Sequence, residues 1–260
     1  MQTFILSLLQ SITEFLPVSS SGHLIILPEL MGWQGQGIAM DIGLHLGTLL
    51  AVCVYFMPDL WKMFLGLWCG GKVLKQVALL IVATLPIAVT GFWAGHYVEE
   101  VRYPYVICIT LIAFGVLLWW ADKVSKSDRN FEKMSYKDAF LIGMAQCLAL
   151  IPGTSRSGIT MTAARLCRIN RSDAAKFSML LSVPVVGAAG VWLLFSLFMN
   201  NHLDVLNGQF YESILYSFVG GLLVIRFLMQ FVKKHSFFAF MVYRICLGVF
   251  LFFFFFLLAK

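Results

Sequence analysis

The hydrophobic positions of the chain form long continuous runs that are separated by short polar segments. A helix needs roughly 20 apolar residues to cross a bilayer, and six of the runs approach that length. They lie at about 38–56, 77–97, 105–121, 177–199, 214–232 and 240–259. The pattern therefore predicts an all-α polytopic membrane protein with six transmembrane helices.

Two further apolar stretches are interrupted by polar turns. Residues 1–31 contain L-P-V-S-S-S-G-H at 16–23, and residues 136–166 contain I-P-G-T-S-R-S-G-I-T at 151–160. Unpaired backbone groups are tolerated at membrane depth only where they are buried in protein or face a wet cavity. Each stretch is therefore predicted to be a re-entrant hairpin of two half-helices joined by a polar turn.

The two halves of the chain are similar at a constant offset of 136 residues. The matched residues are Gln10 and Gln146, Ser19 and Ser155, Ser21 and Ser157, and Gly22 and Gly158. The predicted spans are displaced by roughly the same amount, so one membrane domain, 1–260, is predicted to contain two units at about 1–122 and 136–260. Each unit has three crossings, an odd number, so the second unit is inverted and the two hairpins enter from opposite faces.

Composition and charge agree with this topology. Hydrophobic residues make up 60% of the chain and charged residues 12%, which a soluble domain of this size could not accommodate. Most of the Lys and Arg residues fall on one side, in the loops after the first, third and fifth spans and after the second hairpin. That side, which includes the linking loop 123–135, is predicted to be cytoplasmic, with both termini external. The net charge of +6 then reflects membrane topology, and no nucleic-acid partner is expected.

The second turn carries a charged residue, Arg156, at the centre of an apolar stretch. An ionisable residue within the membrane is a candidate functional group by default. Ser155, Ser157 and Thr160 surround it, and Gly153 lets the backbone approach closely. Hydroxyl groups, the free amides of a helix start and a guanidinium together form a cradle for an anion such as phosphate.

The first turn supplies groups of complementary chemistry. Gln10 and Glu14 are four residues apart, so they lie on one face of a helix. Two oxygen donors in that arrangement suit a hard cation such as Mg²⁺ or Ca²⁺, which would share oxygens with a phosphate. The turn that follows contains Ser19, Ser20, Ser21 and His23. A hydroxyl nucleophile near an acid or base is the pattern of covalent catalysis, and His23 can serve as base, acid or nucleophile, so these residues leave the nucleophile open.

These two segments carry a resemblance to a known family. Q-S-I-T-E-F-L-P-V-S-S-S-G-H at 10–23 resembles the first signature of the bacterial undecaprenyl-pyrophosphate phosphatases of the bacitracin-resistance type. P-G-T-S-R-S-G-I-T at 152–160 resembles their second signature, P-G-x-S-R-S-x-x-T. The motifs are long and occur in the expected order, and chain length and span number agree. The resemblance covers essentially the whole chain.

The resemblance implies an activity and a location. The activity is hydrolysis of undecaprenyl pyrophosphate to undecaprenyl phosphate and phosphate, which recycles the carrier lipid for peptidoglycan synthesis and confers bacitracin resistance. The location is the bacterial cytoplasmic membrane, with the active site open to the external, periplasmic side. The resemblance further implies a divalent cation, while the oligomeric state, a homodimer included, stays open.

The resemblance also implies roles for individual residues. Catalytic roles fall to Glu14, Ser20, His23 and Arg156, pyrophosphate binding to Arg156, Ser155, Ser157, Thr160, Gly153, Ser19 and Ser21, and cation binding to Glu14 and Gln10. The family often has Glu at the position of Gln10, so a cation site with two carboxylates is in question here.

Other functions fit parts of the pattern. Inverted repeats and broken helices are features of transporters, so a lipid or ion transporter or flippase is the alternative. An intramembrane serine protease would use Ser20 or Ser21 with His23 but has no need of Arg156. A second lipid phosphatase superfamily requires a His and, four residues later, an Asp after its S-R motif, and residues 159–166 contain neither.

Overall fold

The structure is a computed structural model that describes residues 1–33, 37–94, 103–126, 129–200 and 206–258. All of its extended secondary structure in these ranges is helical, which confirms the predicted all-α class. The α-helices are α1 Gln2–Phe15, α2 Ser20–Met31, α3 Gly37–Tyr55, α4 Met57–Cys69, α5 Gly71–Ala94, α6 Pro104–Val124, α7 Tyr136–Gln146, α8 Arg156–Leu166, α9 Arg171–Met199, α10 Gly208–Lys234 and α11 Phe238–Phe253. The ends of the predicted spans 77–97 and 240–259, and residues 127 and 128 of the predicted linking loop, lie outside the described ranges.

Five helices in the described part of the chain are long and apolar enough to cross a bilayer, namely α5, α6, α9, α10 and α11. They coincide with the predicted spans from 77–97 onwards. The predicted span at 38–56 is helix α3, which reaches a sixth candidate crossing together with α4, although the two helices are bent by 76°. The chain is thus a multi-pass membrane protein with five or six candidate spans.

Helix α4 is the main departure from the sequence analysis, which places a loop there. Pro58 stands in its first turn, where the missing amide hydrogen has no helical partner to lose. The rings of Trp61 and Trp68 both pack against Phe64 on an exposed face of the helix. The helix has 13 residues, so a search for runs of about 20 apolar residues does not detect it.

Both interrupted stretches are helix–turn–helix units, α1 with α2 and α7 with α8. The second helix of each unit follows a serine with a positive φ, 77° at Ser19 and 74° at Ser155. The Ser19 Oγ accepts a hydrogen bond from the Gly22 amide, and the Ser155 Oγ accepts one from the Gly158 amide. The two turns therefore have the same local conformation at positions matched by the offset of the sequence similarity.

Helices α3 and α10 pack closely along their length. A Cβ atom at Gly47 would lie 2.4 Å from the carbonyl oxygen of Ile214, so only glycine permits this separation. Small residues serve this purpose at helix contacts in membranes, where close backbone approach replaces the hydrophobic effect. Helix α10 therefore packs against α3 and also against α1, the helix that precedes the first turn.

Ion pairs join the helix ends that the charge pattern assigns to the cytoplasmic side. Asp122, at the end of α6, is buried and accepts hydrogen bonds from Arg165 at 2.8 Å and Arg171 at 2.8 Å. Its second oxygen accepts from the amide of Phe237 at 3.2 Å. One carboxylate therefore ties the ends of α6 and α8 to the starts of α9 and α11.

Candidate active site

Glu14 is the centre of the candidate site. Its carboxylate is buried in the last turn of α1. The Oε1 atom accepts a hydrogen bond from Arg156 at 2.7 Å, and Oε2 accepts from Ser20 at 2.7 Å and from the Gln10 amide at 3.2 Å. The structure thus brings four of the predicted site residues together at a single carboxylate.

Ser20 and Arg156 occupy matched positions in the two turns. Each is the first residue of its helix, directly after the serine with positive φ, and the two are 136 residues apart in the sequence. One turn therefore presents a hydroxyl group and the other a guanidinium to opposite oxygens of Glu14. Arg156 also donates to the carbonyl oxygen of Ser178 at 3.1 Å, which fixes the far side of its guanidinium.

Three of the hydroxyl groups predicted to bind pyrophosphate, those of Ser155, Ser157 and Thr160, already form hydrogen bonds within the protein. Ser155 accepts from the Gly158 amide at 3.1 Å, Ser157 donates to the Leu16 carbonyl at 3.3 Å, and Thr160 lies 2.7 Å from the hydroxyl of Ser178. These bonds hold the turn in shape and attach it to the first turn. A role of Ser155, Ser157 and Thr160 in substrate binding stays a prediction.

Gly153 has a conformational and a steric reason to be glycine. Its φ is +85°, and a Cβ atom there would lie 2.1 Å from Oγ1 of Thr110 on α6. Thr110 in turn donates a hydrogen bond to the Pro152 carbonyl at 2.7 Å. The glycine therefore lets the second turn approach α6, and its predicted contact with pyrophosphate remains untested.

The ring nitrogens of His23 are hydrogen-bonded to groups other than the Ser20 hydroxyl. Its Nδ1 atom lies 2.7 Å from the carbonyl oxygen of Ser19, and its Nε2 atom lies 2.7 Å from the hydroxyl of Tyr243. Because Ser20 instead donates to Glu14, the carboxylate is the base within hydrogen-bonding distance of the hydroxyl. Of the pairings between a hydroxyl group and a base that the sequence leaves open, the structure joins Ser20 and Glu14 by a hydrogen bond.

Arg244 is a site component for which the sequence analysis proposes no role. Its side chain is fully buried in α11. The guanidinium donates to the backbone carbonyl groups of Leu111, Thr110, Gly153, Thr154 and Pro17. It thus connects both turns to α6 through backbone oxygens alone. In the sequence, Arg244 resembles Arg156 in being a charged residue within an apolar run. Arg244 is not surrounded by Ser and Thr residues, however, so the sequence did not indicate what its side chain binds.

A cavity of about 490 Å³ opens beside the site, between α2, α3, α9 and the second turn. Its polar wall contains Ser21, Asp41 and His45, and its apolar wall includes Leu24, Val185 and Leu193. The Nε2 atom of His45 lies 4.0 Å from Oε2 of Glu14, which connects the cavity to the central carboxylate. The sequence analysis gives His45 no functional role, although Asp41 precedes it by one helical turn.

The predicted cation ligands provide the appropriate type of atom. Glu14 is a carboxylate, and the Oε1 atom of Gln10 is buried and has no hydrogen-bond partner among the described residues. Oxygen donors of this kind suit Mg²⁺ or Ca²⁺. The described residues contain no group of three or more His, Cys, Asp or Glu side chains arranged to hold a metal, so substrate and water oxygens would have to complete the coordination.

Comparison with known proteins identifies the family. The family model of the bacitracin resistance protein BacA matches residues 3–250, a range that contains both turns. The chain is 41% identical over 254 residues to an undecaprenyl-diphosphatase of Saccharophagus degradans, covering 95% of each chain. It is 40% identical over 261 residues to one of Alteromonas mediterranea, covering 97% of each, and 41% identical over 256 residues to one of Hahella chejuensis. This chain therefore belongs to the bacitracin resistance protein BacA family.

Proposed function

We propose that this protein hydrolyses undecaprenyl pyrophosphate to undecaprenyl phosphate and inorganic phosphate. The observation that carries the proposal is the convergence of Ser20 and Arg156 on the carboxylate of Glu14. The relatives that match along nearly the whole chain are named undecaprenyl-diphosphatase. The activity returns the carrier lipid to peptidoglycan synthesis and so confers resistance to bacitracin.

The topology proposed for this function is an inverted repeat. Units of about 1–122 and 136–260 each contribute one re-entrant hairpin and three spans, and the hairpins enter from opposite faces. The shared conformation of the turns at Ser19 and Ser155 supports this arrangement. With the ion pairs around Asp122 on the cytoplasmic side, both termini are external and the site opens to the periplasm.

The substrate would use the cavity and the central carboxylate together. The prenyl chain lies along the apolar wall near Leu24 and Val185 and continues into the bilayer, while the pyrophosphate faces the wall with Ser21 and His45. Arg156 then exchanges its hydrogen bond to Glu14 for bonds to phosphate oxygens, which a planar guanidinium binds in pairs. This exchange leaves the carboxylate free to accept a proton.

Ser20 is the nucleophile in this proposal, and Glu14 is the base. The Ser20 oxygen attacks the terminal phosphorus, its proton passes to Oε2 of Glu14, and the bond between that phosphorus and the bridging oxygen breaks. Undecaprenyl phosphate leaves. Water then attacks the phosphoserine, the bond between phosphorus and the Ser20 oxygen breaks, and the proton held by Glu14 returns to that oxygen as inorganic phosphate is released. Arg156 stabilises the charge that develops on the phosphoryl oxygens.

Glu14 and Gln10 would hold a divalent cation, either Mg²⁺ or Ca²⁺. When bound, such a cation supplies positive charge to the pyrophosphate oxygens. Because Gln10 is neutral, Glu14 contributes most of the electrostatic attraction on the protein side. The buried oxygen of Gln10 that lacks a hydrogen-bond partner supports this assignment.

The test is phosphate release from undecaprenyl pyrophosphate by detergent-purified protein, with and without EDTA. We expect cation-dependent release by the wild type, loss in Arg156→Ala and Ser20→Ala, and an acid-stable phosphoserine at position 20 after rapid quenching. Ser236→Ala, in the loop between α10 and α11, is the matched control and should retain full activity. Absence of release by folded wild-type protein would contradict the proposal and favour lipid or ion transport on the same scaffold.

A further inference from the structure

His23 is held through both nitrogen atoms of its ring. Nδ1 lies 2.7 Å from the Ser19 carbonyl oxygen, and Nε2 lies 2.7 Å from the Tyr243 hydroxyl. A carbonyl oxygen can only accept a hydrogen bond, so Nδ1 carries the proton of the neutral ring. Nε2 is therefore the acceptor, and the phenol of Tyr243 is the donor.

Tyr243 reaches this position from a distant part of the sequence. It lies on α11, and its ring is nearly parallel to that of His23, with 9° between the planes and 5.8 Å between the centroids. The next residue, Arg244, binds backbone carbonyl groups of both turns, Pro17 and Gly153 among them. The same helix segment therefore anchors the turns and sets the distance between Tyr243 and His23.

The bond from His23 acts on the strained residue of the first turn. Ser19 has a φ of 77°, a region that residues with a Cβ atom rarely adopt. In the second turn Ser155 has nearly the same φ, but Ile159 stands at the position matched to His23 and offers no side-chain donor. Of the two turns, only the one that presents Ser20 has a histidine hydrogen-bonded to the carbonyl group of its positive-φ serine.

We propose that Tyr243 is a positioning residue for the phosphatase reaction. Its hydroxyl holds the His23 ring with the proton on Nδ1, and that ring holds the Ser19 carbonyl and thereby the turn that places Ser20 on Glu14. The inference rests on the proposed phosphatase function, because it assigns a kinetic consequence to this contact. Displacement of a reacting group by about 1 Å can reduce a rate by about a hundredfold. Loss of the hydrogen bond to the His23 ring is therefore expected to lower kcat.

The first experiment is the Tyr243→Phe variant, which keeps the ring and removes only the hydroxyl. We expect kcat to fall by about tenfold with KM within about twofold of wild type, because the reacting group is displaced while the substrate contacts remain. In ¹⁵N spectra of histidine-labelled protein, the Nε2 resonance of His23 should move in Tyr243→Phe. The control is Tyr216→Phe, since the Tyr216 ring packs edge-on against Phe4 on another helix; it should behave as wild type.

The second experiment asks whether Tyr243 acts through His23. In a double-mutant cycle, Tyr243→Phe should cause no further loss of kcat in a His23→Gln background. An equal loss in both backgrounds, or a Tyr243→Phe variant with wild-type kcat and an unmoved His23 resonance, would overturn the inference. The two proposals are tested by different results. Wild-type protein that releases no phosphate refutes the phosphatase function. The ¹⁵N resonance of His23 would still show whether Tyr243 orients the His23 ring.

Discussion

The carboxylate of Glu14 and the guanidinium of Arg156 form an ion pair, with 2.7 Å between Oε1 and the nearest guanidinium nitrogen, across 142 residues of sequence. The side chains are only 8% and 14% exposed, so water screens the pair poorly. The ion pair therefore joins the two broken helices at the point where the chemistry is proposed to occur. We therefore expect stability and activity to depend on the same two residues.

Variants of this ion pair can separate its contribution to stability from its contribution to activity. Glu14→Gln and Arg156→Gln should each lower the free energy of unfolding by up to about 3 kcal/mol, because each leaves one buried charge without a partner. The double variant should recover much of that stability and none of the phosphate release. Thermal unfolding in detergent and the phosphate assay, made on the same preparations, check both expectations. Additive destabilisation in the double variant would show that the pair is not coupled.

Cation binding should respond to the charge at position 10. Gln10→Glu adds a second carboxylate beside Glu14, and we expect the Mg²⁺ or Ca²⁺ concentration for half-maximal phosphate release to fall by about tenfold. Gln10→Leu removes the oxygen and should raise that concentration. Titration of EDTA-treated protein with each cation measures the effect. Equal cation requirements in all three proteins would exclude Gln10 as a ligand.

Arg244 should be more important for stability than its lack of an acidic partner among the described residues suggests. Arg244→Met leaves five buried carbonyl groups without their donor, and we expect a loss of at least about 3 kcal/mol in the free energy of unfolding. Arg244→Lys should not rescue it, because an ammonium group cannot reproduce the planar fork of donors. Arg226→Gln, on the exposed side of α10, is the control. Wild-type melting of Arg244→Lys would refute the proposed geometry.

Acid should weaken the loop structure near the start of α7. Burial alone would raise the pKa of Asp138, but hydrogen bonds from Arg129 and Ser135 outweigh it and hold the pKa below its usual value of 3.8. A lowered pKa in the folded state stabilises the protein above about pH 3.8 and loses that contribution as the pH falls through the lowered value. Asp138→Asn should therefore lower the melting temperature at about pH 7, and the effect should shrink progressively as the pH falls below about 3.8. Thermal unfolding across that range, with Asp173→Asn as a comparison, tests the sign.

The local pattern of apolar and polar residues was sufficient to predict most of the helices of this protein. A membrane-spanning helix can be recognised from a continuous stretch of sequence, because an apolar run long enough to cross the bilayer has few alternatives to a helix in lipid. The spans from 77 onwards and both helix–turn–helix units follow from it. The proximity of Gln10 and Glu14 follows equally from helical spacing. Helix α4 was missed because it is short, and an amphipathic pattern of that length does not distinguish a helix from a loop.

Tertiary structure alone decided how the site is connected. The sequence shows which residues are charged or hydroxylated within apolar segments, and so it was enough to predict Glu14, Ser20 and Arg156 as candidate site residues. It could not determine that Ser20 donates to Glu14, or that Tyr243 and Arg244 support the two turns. Helical periodicity relates residues about four positions apart, whereas the contacts of Tyr243 and Arg244 join α11 to turn residues at least 90 positions away. Hydrogen bonds act over about 3 Å, so only the packing of the helices could select the partners.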